Sequence, residues 1–197
     1  MFTPLGFMEA REAHYQEHLG PLTQGVFHST DVKDVHIDVY QFEPYSDRLH
    51  WTLITGGMSD ACQKLPDGST EGLAPRTEIL LYAPKPQNWM VSVLKGLAEM
   101  PFDDDTYPHW WHTVQNGMPM TAERSLLTAF FFLPPYRETS GFNQFFLQGE
   151  KVDFLWLVPI TETERVFAVE FGSEALEERI ISCEFSELLD EQRPSIV

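Results

Sequence analysis

The chain has 197 residues, 43% of them hydrophobic and 13% aromatic, enough for one ordinary domain with a sizeable core. Its 13 basic and 30 acidic residues leave a formal net charge of −17, a field that repels phosphate backbones and attracts cations. Direct nucleic-acid binding is therefore disfavoured and a basic protein partner favoured, although acidity also serves solubility alone.

No stretch approaches the roughly 20 apolar residues of a bilayer helix, so no membrane contact is expected. The first residues lack a secretory pattern, and Cys62 and Cys183 stand far apart with no CxxC spacing. These features predict a cytoplasmic protein with buried thiols.

In chain order, residues 9–19 predict a helix stopped by Gly20 and Pro21. Within it, His14, Glu17 and His18 fit H-x-x-E-H, which places two imidazoles one turn apart beside a carboxylate. A zinc-dependent hydrolase using these three residues is the alternative function. It would need a third ligand and a cleft; on a short, mostly polar helix, solvated surface histidines are the simpler reading, and no metal ligand set is assigned.

Residues 35–42 (VHIDVYQF) alternate Val35, Ile37 and Val39 with His36, Asp38 and Tyr40, the pattern of a half-buried strand towards an edge. The short link over residues 43–47 makes it an antiparallel neighbour of the next strand. That strand, residues 50–55 (HWTLIT), is apolar on both faces and reads as the centre of the sheet, closed by Gly56, Gly57 and the turn residues Ser59 and Asp60. Residues 64–75 read as a loop and 76–82 as a further strand.

Pro86 suits the first position of a helix over residues 87–100, whose stripe of Trp89, Met90, Val93, Leu94, Leu97 and Ala98 packs on the sheet. Asp103, Asp104 and Asp105 follow and repel one another into solvent. Trp110 and Trp111 cannot both point inward from a regular strand, which leaves one as a surface anchor. His109 and His112 are zinc-type ligands without a third or fourth partner at plausible spacing.

Residues 126–133 (LLTAFFFL) predict a strand apolar on both faces. Residues 152–160 (VDFLWLVPI) predict another, running into a helix that Thr161 caps and Glu164 closes as a capping box. Gly172 ends that helix; Ser173 caps the next, with Leu176, Ile180 and Cys183 turned inward. The outer faces of these helices are acidic. Phosphate loops, dinucleotide fingerprints and nucleophile elbows do not occur, so no cofactor and no catalytic residue is expected.

Three segments together resemble the Suppressor of fused domain family: HWTLITGGMSD at 50–60, RTEILLYAPKPQNWMVSVLKGLAEM at 76–100 and FLWLVPITETERVFAVEFGSEALEERI at 154–180. The likeness runs from about residue 50 to 189. Residues 1–49 form a weakly matching part of the same domain over 1–197, and Gly56-Gly57 departs from the bulkier residues usual there.

The resemblance implies an α+β single domain, with a mixed, mainly antiparallel sheet and helices packed on it, that binds protein and is not an enzyme. The eukaryotic member holds a transcription factor by pairing with an extended segment, and compact bacterial members include immunity proteins that neutralise toxins. By position, capture falls to residues 126–133, with Thr128, Phe130 and Phe132 as contacts, joined by Asp103, Asp104, Asp105, Trp110 and Trp111. The same strand also suits a fully covered position. A third reading is a nucleic-acid mimic acting through the acidic run 174–187.

Overall fold

In a computed structural model, residues 6–30, 33, 35–68, 71–120, 125–183 and 188–197 are described. In chain order they form α1 (Phe7–Leu19), β1 (Asp38–Phe42), β2 (Trp51–Gly56), a 3₁₀ turn (Met58–Asp60), β3 (Arg76–Ala83) and α2 (Asn88–Asp103). There follow β4 (Thr113–Gln115), β5 (Leu127–Leu133), β6 (Phe145–Leu147), β7 (Glu150–Thr161), α3 (Glu162–Phe171) and α4 (Ser173–Ser182).

The strands make one seven-stranded sheet in the order β1-β2-β3-β7-β5-β4, with β6 also on β7. All pairs are antiparallel except β3 with β7. The predicted α+β single domain is therefore observed, but its centre lies elsewhere. β2 is one strand in from the edge, and β7 takes three partners. Its alternation explains why: Phe154, Trp156, Val158 and Ile160 enter one core while Leu155 and Leu157 enter the other. Tyr15 and Leu19 of α1, Ala168 of α3 and Leu176 and Ile180 of α4 complete the first core. Met90, Leu94, Leu97 and Ala98 of α2 complete the second.

Several local boundaries shift. β1 begins at Asp38 and is buried along its whole length, not half-buried, because α2 packs on one face and α1 on the other. Asn88, not Pro86, takes the first position of α2, with Gln87 at the N-cap, and the helix runs on through Pro101 into its last turn. In α2, Val91 joins the buried stripe, while Trp89 and Val93 pack against the same core partly buried. At α4, Gly172 occupies the N-cap and no side chain caps it, in place of Ser173. Cys62 and Cys183 are both exposed free thiols rather than buried ones. The three-residue strands β4 and β6 were too short for periodicity to reveal. β6 turns into β7 through Gln148 (φ 52°) and Gly149 (φ 85°), the two positive φ angles of a tight hairpin.

Gly56 and Gly57 have separate reasons. A Cβ at Gly56 would lie 2.5 Å from the Tyr40 ring and 2.8 Å from Arg11 Nε. Gly57 has φ 111° and a Cβ there would meet the His36 carbonyl. Pairing of β3 with β7 extends to Leu80 and Trp156. Beyond it the C-terminal segment enters: Leu189 N–H donates to the Tyr82 carbonyl (3.1 Å) and Arg193 Nη2 to the Pro159 carbonyl (2.8 Å). Pro159 thus turns its missing N–H towards this opening, where no strand asks for it.

His50 is buried beside Arg48 and edge-on to Tyr82, and burial, with Arg48, lowers its pKa to about 4. A depressed imidazole pKa means that the unfolded chain binds the proton more readily. Stability is then complete above the unfolded value, about 6.5, and declines as pH falls towards 4. His50→Gln should remove a part of that acid loss on the order of 2 kcal/mol. Thermal melts at pH 7.5 and 5.0 measure it, and an unchanged difference between the two pH values would refute it.

Candidate functional site

β5 lies between β7 and β4, so its outer edge is already paired. Thr113, Val114 and Gln115 face Phe131, Phe130 and Ala129, and the pairing continues at both ends. Trp111 N–H donates to the Phe132 carbonyl (2.7 Å), Asn116 N–H to the Thr128 carbonyl (2.9 Å) and Met120 N–H to the Leu127 carbonyl (3.1 Å). A captured strand would have to displace β4. Phe130 and Phe132 are buried in the α2-side core, and Thr128 is half-buried with its hydroxyl unpaired among the described residues.

The remaining expected contacts separate. Trp110 turns inward, packs on the α2-side core and donates Nε1–H to the Phe154 carbonyl (2.9 Å). Trp111 turns outward: its φ of 68° is rare for a bulky residue, and it aims the indole at α4. There Trp111 Nε1–H donates to Glu177 (2.7 Å), whose other oxygen accepts the Tyr136 hydroxyl, while the indole stays 40% exposed. Asp103, Asp104 and Asp105 are exposed at the end of α2, with Lys33 on Asp103 (2.8 Å) and Lys64 on Asp105.

α4, which meets Trp111 through Glu177, and α3 also leave apolar side chains exposed. Val169 is 71% exposed, Phe171 61% and Ile181 68%, with exposed Glu170, Glu174 and Glu178 at nearby positions of the chain. Val166 and Val169 lie one turn apart on the side of α3 turned away from the buried Glu164 and Ala168, whereas Phe171 lies one turn after Ala168 and stacks on Phe167. Of the acidic run read from the sequence, residues 184–187 lie outside the described residues.

The histidine motifs are absorbed into packing. His14 and His18 are half-buried, not solvated. The His14 ring stacks on Phe145 (4.5 Å) and donates Nε2–H to the Phe142 carbonyl (2.9 Å), and burial lowers its pKa. His109 meets Asp153 (3.1 Å), which also holds Lys151 (2.6 Å), and its ring stacks on Tyr107. His112 Nδ1 accepts the His109 N–H (3.3 Å), and burial lowers its pKa. Among the described residues, the metal-type donors close enough to share one ion are instead His28, His36 and Asp38.

A family model described as Suppressor of fused protein (SUFU) matches residues 33–194. No curated protein matches. Among solved structures, a SUFU homolog from Neisseria gonorrhoeae is similar, with 22% identity, TM-score 0.76 and 97% of each chain covered. A chain of the Sufu-Fu complex shares 14% identity at TM-score 0.69, covering 98% of this chain and 93% of that one. Drosophila Suppressor of Fused shares 15% at TM-score 0.58, over 82% of this chain and 42% of its own. These likenesses show a common fold. The family match spans most of the sequence, and the chain belongs to the Suppressor of fused family, a family of non-catalytic protein-binding domains.

Proposed function

We propose that this chain acts by binding a basic protein on the surface formed by α3, α4 and Trp111. The observation that carries the reading is that α3 and its neighbour α4 leave Val169, Phe171 and Ile181 exposed, with exposed Glu170, Glu174 and Glu178 at nearby positions of the chain. Such a surface excludes water at its centre and selects cationic groups at its rim. The net charge of −17 adds long-range attraction, and the relative in the Sufu-Fu complex gives the family a precedent for a bound partner. The finer form of the reading is an immunity protein that neutralises a basic toxin, the class of partner that acidity suits best. A cytoplasmic setting fits the two exposed free thiols; among the described residues no helix is long and apolar enough to cross a membrane.

The test is binding of this protein to basic proteins encoded beside its gene, followed calorimetrically. Phe171→Asp should weaken the complex by about 30-fold or more, as loss of a buried aromatic anchor does. Lysine at positions 170, 174 and 178 should slow association and flatten its salt dependence. Thr128→Arg should leave affinity unchanged. If instead Thr128→Arg abolishes binding and Phe171→Asp does not, the contact is the β5 edge and the surface named here is wrong.

A further inference from the structure

His28, His36 and Asp38 are brought together by backbone pairing. Phe27 and Val39 form an antiparallel bridge, with Phe27 N–H on the Val39 carbonyl (2.9 Å) and Val39 N–H on the Phe27 carbonyl (3.2 Å). That register sets His28 opposite Asp38, and His36 precedes Asp38 by the two-residue period that returns a side chain to the same side. His28 Nδ1 lies 3.0 Å from Asp38 Oδ2 and His36 Nε2 lies 3.0 Å from Asp38 Oδ1.

All three donor atoms fall within 4.8 Å of one another. Donors on a tetrahedral ion sit about 3.3 Å apart, given metal–ligand bonds of about 2.0–2.1 Å. Small rotations of two exposed imidazoles close that difference. Asp38 is the fixed member: it is buried, and Ser29 N–H also donates to its Oδ1 (3.2 Å), orienting the carboxylate as an outer partner does at built metal sites.

We propose that these three residues bind a divalent transition metal ion of the zinc type, with water completing its shell. Two imidazoles and one carboxylate suit zinc, cobalt or nickel and are a poor set for magnesium or calcium, which prefer oxygen alone. The exposed histidine faces give the ion a way in from solvent, and the chain's negative field concentrates cations there. A bound ion ties the segment carrying His28 to the outer edge of β1, the strand that closes one side of the sheet. Its role is a clamp on that edge, separate from the α3–α4 surface.

The test uses chelator-treated full-length protein titrated with Zn²⁺ by calorimetry and with Co²⁺ by visible absorption. One ion per chain should bind, and zinc at a hundredfold excess over its Kd should raise Tm by about 5–10 °C. His36→Gln, at an exposed position that leaves the fold intact by circular dichroism, should weaken binding at least about tenfold and remove the Tm rise. Asp38→Asn should do the same, whereas His18→Gln should change neither. Absence of one-to-one binding, or one-to-one binding that survives His36→Gln, overturns the proposal. Loss of binding in His18→Gln with retention in His36→Gln would move the ion to α1 and overturn it equally.

Discussion

Arg11→Met is expected to destabilise the protein by about 3–5 kcal/mol, the usual cost of leaving one partner of a buried ion pair uncompensated. Arg11, Tyr15 and Leu19 fall on the single buried face of α1. The guanidinium pairs with Asp60 and lies 3.9 Å from Glu78 Oε1. Glu78 is fully buried and accepts four further donors: Thr55 Oγ1 (2.6 Å), Gly57 N–H (3.0 Å), Ser59 N–H (3.0 Å) and Ser59 Oγ (2.6 Å).

Burial pushes the Glu78 carboxyl above its ordinary range, and Arg11 is the strongest influence opposing that. Without Arg11 the carboxyl rises further. A raised folded-state pKa contributes stability at low pH that is lost as pH rises through it, so the deficit of Arg11→Met should be larger at pH 8 than at pH 5. Urea denaturation at both pH values measures this. Adding Glu78→Gln to Arg11→Met should recover part of the loss, because the isolated charge is gone. A single-variant cost below about 1 kcal/mol, or one independent of pH, would show that Arg11 does not neutralise Glu78.

Glu164→Ala is expected to cost about 3 kcal/mol or more and to release the C-terminal segment. Glu164 closes the capping box of α3, accepting Thr161 N–H (2.7 Å) while its own N–H donates to Thr161 Oγ1 (3.2 Å). The same carboxylate holds Arg193 through Nη1 (2.6 Å) and Nη2 (2.8 Å) and accepts Ile196 N–H (3.0 Å). One buried group therefore anchors both a helix start and the chain end. Amide exchange over residues 188–197 should rise sharply in Glu164→Ala relative to the parent protein. Unchanged exchange there would mean that Leu189 on Tyr82, and not Glu164, retains the segment.

The elements that were legible are those whose pattern is local. α2, β5 and the cap at Thr161 and Glu164 each declare themselves within about a dozen residues, because helix stripes, alternation and capping act between near neighbours. The capping box is present as expected. Position within the sheet was not legible. β2 and β7 are both apolar on both faces, and nothing in either run says which receives partners on more sides. β5 suits a covered position better than an exposed capture strand by its both-faced apolarity, but nothing in it names the cover: β4 has three residues and no apolar signature.

For the candidate surface, the acidic helices were visible but their apolar tips were not singled out. The aspartates after α2 and the adjacent tryptophans are unusual in sequence, yet Trp110 packs inward and Trp111 turns out towards α4, their rings meeting edge-on at 6.1 Å. The cluster of His28, His36 and Asp38 was hidden for a related reason. His28 lies ten positions before Asp38 and meets it only because Phe27 bridges Val39.

By itself, the amino-acid order determined the family, the α+β class, the secondary elements with strong periodicity and the negative charge, since each follows from residue type and near-neighbour spacing. Only the tertiary structure decided which strand is central, which edge is open, which charges are buried and which apolar side chains remain outside. Those depend on contacts between residues distant in the chain, such as Arg11 with Glu78 or β3 with β7, and no local pattern encodes a distance across the fold.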